Sequence, residues 1–370
     1  MSKRKSSETE YLKEDFKIYQ IGKINSDILM LCVFFLFFQI IVLYFNYGYL
    51  QYDENVYLFR TKGSTYYPLY SNSTYWFSKS HNIVPYIANI VYFQLTIILL
   101  WKIVDHNIKA IFYISPVLFV LSTTLYPESM FALLLTLTVY LVKLGKDVLA
   151  SIVAFLGYLA KTSGITIILA LLIYGLFLFP KEGQQKEKRW KLALSVVFVG
   201  IYYVLVYLFG PSLSSDRVTN TDVFTDPYSF SKTPDLILWV ILGIGILLGW
   251  LGIILFLRII RTKGSIIFTI WRRIPLFERT IMVIFILVMV SYWSALVLTR
   301  EYGPSHLARF LAPISIFFYM FFDIKKDLEK DSNKKLNKFL FYIMHFLVSA
   351  LIVGWWTWRH RTMDVVKIIR

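Results

Sequence analysis

Eleven apolar runs dominate this sequence. They fall near 28–47, 83–101, 110–126, 128–142, 148–161, 164–179, 192–210, 236–257, 280–299, 307–323 and 339–357. A helix of about 20 apolar residues crosses a bilayer core. A single water-soluble core stops growing near about 250–300 residues. So many runs therefore point to an all-α polytopic membrane protein, with about 11 transmembrane helices and a range of roughly 9–12. The runs between 110 and 179 are shorter than a full span. Tilted partial spans, or pairs that dip in and return, fit them, and broken helices are tolerated where they line a polar cavity. Composition agrees, with 57% hydrophobic, 18% aromatic and only 17% charged residues. A soluble domain carries about 25% charge. An ordinary cytosolic enzyme, a disordered chain and a fibrous one are excluded.

The net charge of +16, from 39 Lys+Arg against 23 Asp+Glu, would suggest nucleic acid in a soluble chain. Here it divides by topology. With the N-terminus inside, 27 of the 39 basic residues lie in cytoplasmic segments, as the positive-inside rule requires. The C-terminal RHRTMDVVKIIR then falls outside and breaks the rule. Residues 1–27 read as a cytoplasmic tail and 28–323 as the main transmembrane unit. Residues 324–370 read as a basic cytoplasmic loop, a last transmembrane helix and a C-terminal tail. The one cysteine, Cys32, and five histidines leave no thiolate or His-rich metal centre. No metal or cofactor is expected, and no nucleic-acid partner.

Four outer segments could carry chemistry. Asp53 and Glu54 open the first long loop, 48–82, followed by an amphipathic stretch near 56–59 suited to the interface. Adjacent carboxylates on a helix diverge, so a proton-sharing dyad is not expected, and a solvated acidic pair is the plain alternative. Glu128 follows Tyr126-Pro127, where it is either a helix N-terminal acid or a carboxylate of a site. Lys161 interrupts an apolar stretch before Thr162-Ser163-Gly164. A charge inside the membrane marks a site by default, and snorkelling to the headgroups is the alternative. Arg309 lies one turn inside the late run, with His306 before it as a proton carrier or a loop residue. Carboxylates and cations on one face suit a hydroxyl acceptor and a lipid-phosphate leaving group: a base takes the proton, and cations stabilise the phosphate.

The order of these segments resembles the GPI mannosyltransferase 2 (PIG-V type) family, in the GT-C class of polyprenyl-phosphate-dependent glycosyltransferases. The matching residues are Asp53, Tyr57 and Tyr67-Pro68-Leu69-Tyr70 in the first loop, then Ser115-Pro116 and Tyr126-Pro127-Glu128-Ser129-Met130-Phe131-Ala132. The family's Ala-Arg-x-x-Gly is Ala160-Lys161-Thr162-Ser163-Gly164 here, and a late Arg-Phe is Arg309-Phe310. The likeness covers about residues 45–170 and thins beyond. Two departures matter: Tyr52-Asp53 replaces Trp-Asp, with Glu54 directly after, and Lys161 replaces Arg.

The resemblance implies a GT-C-like bundle in the cell or endoplasmic reticulum membrane, with an extracytoplasmic or lumenal site. It implies inverting transfer of a hexose, mannose first, from a polyprenyl- or dolichyl-phosphate sugar to a glycolipid or glycan acceptor. Asp53 would be the general base, with Glu54 and Glu128 as neighbouring catalytic carboxylates. Lys161 and Arg309 would bind the donor phosphate. Tyr57, Tyr67, Pro68, Tyr70 and His306 would contact substrate. Tyr66, Tyr75 and Trp76 are sugar-stacking candidates or an interfacial belt. Asn72-Ser73-Thr74 fits a glycosylation sequon on the outer side. The bilayer is a partner throughout, and a small membrane subunit is compatible. Two other classes remain open: a transporter or flippase of lipid-linked sugars, and a non-catalytic subunit of a glycosylation complex.

Overall fold

Every apolar run that the structure describes carries a helix. The computed structural model describes residues 26–47, 49–50, 68–104, 114–179, 189–209, 233–249, 271, 274–299, 304–321, 334–362 and 366–367. In chain order these are α1 (Ser26–Asn46), β1 (Tyr49–Leu50), α2 (Pro68–Ser78), α3 (Val84–Ile103), α4 (Pro116–Leu121), α5 (Glu128–Lys143), α6 (Asp147–Ala160), α7 (Ile165–Ile173), α8 (Leu194–Phe209), α9 (Thr233–Leu248), α10 (Leu276–Thr299), α11 (Pro304–Leu311), α12 (Lys334–Thr362) and β2 (Val366–Lys367). Four described helices are long and apolar enough to cross a membrane: Ser26–Asn46, Val84–Ile103, Trp190–Leu208 and Leu276–Ser294. Asp147–Ala160, Thr162–Leu178 and His306–Phe318 are shorter apolar helices.

The faces of α1 show what solvent it is built for. Met30, Phe37 and Ile40 are exposed, whereas Gln39 and Asn46 are fully buried. A helix in water places its apolar stripe against the core. Here apolar side chains face out and amides face in, the pattern of a helix whose outer solvent is hydrocarbon. On α8, Val204, Tyr207 and Leu208 are exposed in the same way. The protein core lies between α3, α5, α10 and the late helices, where Phe131 of α5 stacks on Phe285 of α10.

The run near 110–126 does not form one helix. Ser115 caps α4, its hydroxyl accepting from Val117 N–H at 3.2 Å and donating to Leu247 C=O at 2.7 Å. Pro116 occupies the first turn, where a missing N–H costs nothing. The helix stops after six residues. Ser122, Thr123 and Thr124 fold their hydroxyls back onto the carbonyls of Phe119, Val120 and Leu121 at 2.6, 2.8 and 2.9 Å. Those carbonyls belong to the orphan acceptors that any helix end leaves.

The broken stretch is then satisfied from two neighbouring helices. Gln39 of α1 donates to Ser122 Oγ at 2.6 Å, and Asn46 donates to Thr123 Oγ1 at 3.1 Å. Asn89 of α3 donates to the carbonyls of Thr124 and Tyr126 at 2.5 and 3.2 Å. Gln94 secures Gln39 at 2.6 Å. A backbone break away from water survives only with such internal partners. Each missing partner would cost about 1–3 kcal/mol.

Helices α6 and α7 form a tight hairpin. Lys161 leaves α6 in extended geometry, φ −156° and ψ 133°, and Thr162–Gly164 make one 3₁₀ turn. Gly164 lies against the backbone of α6. A Cβ there would stand 2.4 Å from Tyr158 N and 2.6 Å from Gly157 O, so only glycine fits. At the far ends, Arg189 reaches Asp147 through an ion pair and donates to Val142 C=O at 3.0 Å. Lys143 stands 3.0 Å from Glu278. These pairs gather the ends of α5, α6 and α10 on the face opposite Lys161.

The first loop contributes α2, which starts at Pro68 and packs on α3 and α6. Tyr70, Ser71 and Thr74 are buried, whereas Trp76 is 65% exposed. β1 pairs antiparallel with β2, Tyr49 opposite Lys367 and Leu50 opposite Val366. The chain just past α1 and the chain just past α12 therefore lie on one face.

Candidate functional site

Three charges from three separate elements meet at the Lys161 end of the bundle. Glu128 is the first residue of α5 and is fully buried. Pro127 before it cannot continue a helix backwards as a hydrogen-bond donor, and an acid in the first turn suits the helix dipole. Lys161 is the break residue after α6, and Arg309 lies in the last turn of α11. Lys161 Nζ and Arg309 Nε each stand 2.8 Å from Glu128, and both meet the same oxygen, Oε1. Lys161 is 3% exposed and Arg309 8%.

Aromatic rings close the cluster. Arg309 lies over the Tyr126 ring, 3.6 Å from its centroid, and Lys161 lies 5.7 Å from the Phe310 ring. A guanidinium over an aromatic face is held by the ring quadrupole. The broken segment thus does two jobs. Its hydroxyls and carbonyls are tied down by Gln39, Asn46 and Asn89, and its continuation supplies Tyr126 and Glu128.

The sequence-derived site residues divide into three groups. Glu128, Lys161 and Arg309 are brought together. His306 lies half-buried one turn before Arg309 and feels the charges of Arg309 and Arg359. Pro68 starts α2. Tyr70 is turned inward, 1% exposed, and its hydroxyl accepts from Asn89 at 2.9 Å. It therefore acts as a post that joins α2 to α3. Asp53, Glu54, Tyr57, Tyr66 and Tyr67 lie outside the described residues, as does the amphipathic stretch near 56–59. Among the aromatic candidates of α2, Trp76 faces outward with Lys79 4.2 Å from its ring. Asn72 is exposed on α2, but Thr74 of the same triplet is buried.

Sequence reasoning missed several supporting residues. Gln39, Asn46, Asn89 and Gln94 each interrupt an apolar run, and that interruption was the available signal. Arg359 was counted only as an exception to charge topology. It lies near the end of α12, 5.5 Å from the Trp355 ring, within electrostatic reach of Tyr126 and His306. Among the described residues, no three His, Cys, Asp or Glu side chains are grouped to hold a metal ion.

Chemically, the cluster is a buried carboxylate that fixes two cations at one end of a helical bundle. It can neutralise an anionic group brought to it, and it can offer a second carboxylate oxygen to a donor. Compared with known proteins, the chain matches no family model, no curated protein and no solved structure.

Proposed function

We propose that this protein is a membrane glycosyltransferase. It moves a hexose, mannose first among the candidates, from a polyprenyl-phosphate sugar to a glycolipid or glycan acceptor at the extracytoplasmic face. The observation that carries this reading is the convergence of Glu128, Lys161 and Arg309 at one end of the bundle, 2.8 Å apart at each contact. Two cations stand against one buried carboxylate. A sugar phosphodiester carries one negative charge, which cations in a low-dielectric site stabilise.

In this reading Lys161 and Arg309 hold the departing phosphate. Arg309 presents a planar fork suited to phosphate oxygens. Lys161, a point charge, follows the leaving oxygen. Asp53 of the first loop removes the acceptor proton while the sugar–phosphate bond breaks, with Glu54 and Tyr57 beside it. The bundle belongs to the GT-C class with about 11 spans, and its site faces the lumen or the outside. The residues shared with the GPI mannosyltransferase 2 family support this, and the bond between Glu128 and Lys161 joins two of that family's motifs directly. A non-catalytic subunit would not require those motifs to meet.

The test uses the full chain reconstituted in lipid nanodiscs with radiolabelled polyprenyl-phosphate mannose and extracted cellular glycolipids as acceptors. Wild type forms a labelled glycolipid. Asp53→Asn abolishes transfer by at least about 100-fold, within the range general-base removal gives, and leaves expression and helix content intact. Full activity of Asp53→Asn removes Asp53 as the base. Movement of the donor across vesicles without any product assigns the protein to transport instead.

A further inference from the structure

One buried amide touches both the first outer loop and the segment that leads to the ion cluster. Asn89 of α3 is 1% exposed. Its side-chain nitrogen donates to the Tyr70 hydroxyl of α2 at 2.9 Å, and to the carbonyls of Thr124 and Tyr126 at 2.5 and 3.2 Å. Carbonyls only accept, so they fix which end of the amide is nitrogen. That nitrogen carries two hydrogens, and three oxygens claim them. The Thr124 bond is the shortest, which leaves the second hydrogen shared between Tyr70 and Tyr126. Gln39 and Asn46 serve the same broken stretch differently. They reach the side-chain hydroxyls of Ser122 and Thr123 at its start, not the backbone next to Glu128.

From Tyr126 the path to the cluster is short and stiff. Arg309 lies 3.6 Å from the centroid of the Tyr126 ring. Pro127 follows with φ −73°, a dihedral that its own ring locks. Glu128 comes next and meets Lys161 and Arg309 at 2.8 Å each. A shift of the Tyr126 carbonyl therefore moves Glu128 and the ring beneath Arg309 together. Resting on the glycosyltransferase reading above, we infer that Asn89 is a positioning residue: through Tyr70 it sets the ion cluster at a fixed place relative to the first outer loop. In that reading the loop carries the base and the cluster holds the donor phosphate. Asn89 keeps the two halves of the reaction in register, acting through Tyr70 and Tyr126.

The first arm of the experiment is a double-mutant cycle on the full chain in detergent, read as melting temperature. Tyr70→Phe removes only the hydroxyl. Arg309→Lys keeps the charge and changes the group over Tyr126. Distant sites without a shared partner give additive shifts. The expected result is a double variant whose shift departs from the sum by about 2 °C or more. In an Asn89→Leu background that departure disappears, which separates Asn89 from the direct packing of α2 on α6. Tyr70→Phe combined with Lys143→Ala, at the opposite end, gives the plain sum. If Arg309→Lys does not fold, Tyr126→Leu takes its place, and Asn89→Ala stands in for Asn89→Leu on the same ground.

The second arm measures transfer from polyprenyl-phosphate mannose in nanodiscs. Tyr70→Phe lowers kcat per folded molecule by at least about 10-fold, since a misplacement of about 1 Å can cost about 100-fold. The donor KM stays within about threefold, as for an interaction that counts in the transition state alone. A purely structural loss lowers the amount of folded protein and leaves kcat per folded molecule unchanged. Additive melting shifts overturn the coupling and leave the glycosyltransferase reading standing. A departure from the sum that persists without the Asn89 amide overturns the role of Asn89. Unchanged kcat in Tyr70→Phe overturns its part in the reaction. Coupled melting shifts with no transfer by wild type from any polyprenyl-phosphate hexose uphold the coupling and overturn the glycosyltransferase reading.

Discussion

The two ends of the bundle use ion pairs in opposite ways. At one end, Asp147 meets Arg189 through both carboxylate oxygens, and Glu278 meets Lys143, which is 37% exposed along its side chain. Each carboxylate there has one cation; the Asp147 side chain is 13% exposed, and Glu278 is buried beside a half-exposed Lys143. At the other end, Glu128 is fully buried, holds two cations on a single oxygen and leaves the second oxygen unused. The first arrangement closes loops. The second concentrates charge where desolvation is most costly and leaves hydrogen-bonding capacity unspent.

The sharpest way to break the comparison is Glu128→Ala. It strands two buried cations, and breaking such a cluster costs about 3–5 kcal/mol. The detergent-solubilised variant should aggregate or melt far below wild type by fluorescence-detected size exclusion. A melting point within a degree or two of wild type would place the cluster in solvent.

Gly164→Ala comes next. The new methyl would meet backbone of α6 at 2.4–2.6 Å, and overpacking costs about 1–3 kcal/mol. The turn must open and carry Lys161 off Glu128. We expect lower stability together with loss of transfer. Loss of stability alone would mean that Lys161 tolerates displacement.

Gln39→Leu tests the support under the site. It removes the donor to Ser122 and leaves that buried hydroxyl short of a partner. A cost of about 1–3 kcal/mol follows, seen as a lower unfolding temperature with the donor KM raised less than kcat is lowered. Lys143→Ala at the opposite end should leave transfer most nearly intact. Its partner Glu278 is buried, with a side chain 2% exposed, so losing the cation costs about 1–3 kcal/mol and lowers the melting point, while transfer per folded molecule stays near wild type. Loss of transfer there would erase the distinction between the two ends.

Much of the architecture was legible because periodicity was unnecessary. A run of apolar residues long enough to cross a bilayer announces itself by composition, and four such runs carry described helices of spanning length. Glu128, Lys161 and Arg309 were legible for a related reason: a charge beside or within an apolar run has few places to go. Their convergence was not. They are 33 and 181 positions apart from Glu128, and no spacing rule connects them. The unwinding of residues 122–126 was also hidden. Ser-Thr-Thr is compatible with a membrane helix, and only the amides of Gln39, Asn46 and Asn89 opposite it make the break affordable. Tyr70 was hidden in the same way. As an aromatic in an outer loop it looks like a sugar platform, and only packing shows its hydroxyl turned inward onto Asn89.

By itself, the sequence determined that this chain is helical, that several of its helices are long and apolar enough to cross a membrane and that a few charges sit at the ends of its apolar segments. Local chemistry is enough for that, because the hydrophobic effect acts on each segment separately. Only the tertiary structure decided that one carboxylate oxygen holds both cations, that its twin is left open, and that the C-terminal segment pairs beside the first loop. Those outcomes depend on which helix ends pack together, and contacts between distant segments are set by shape and by the need to satisfy every buried polar group at once.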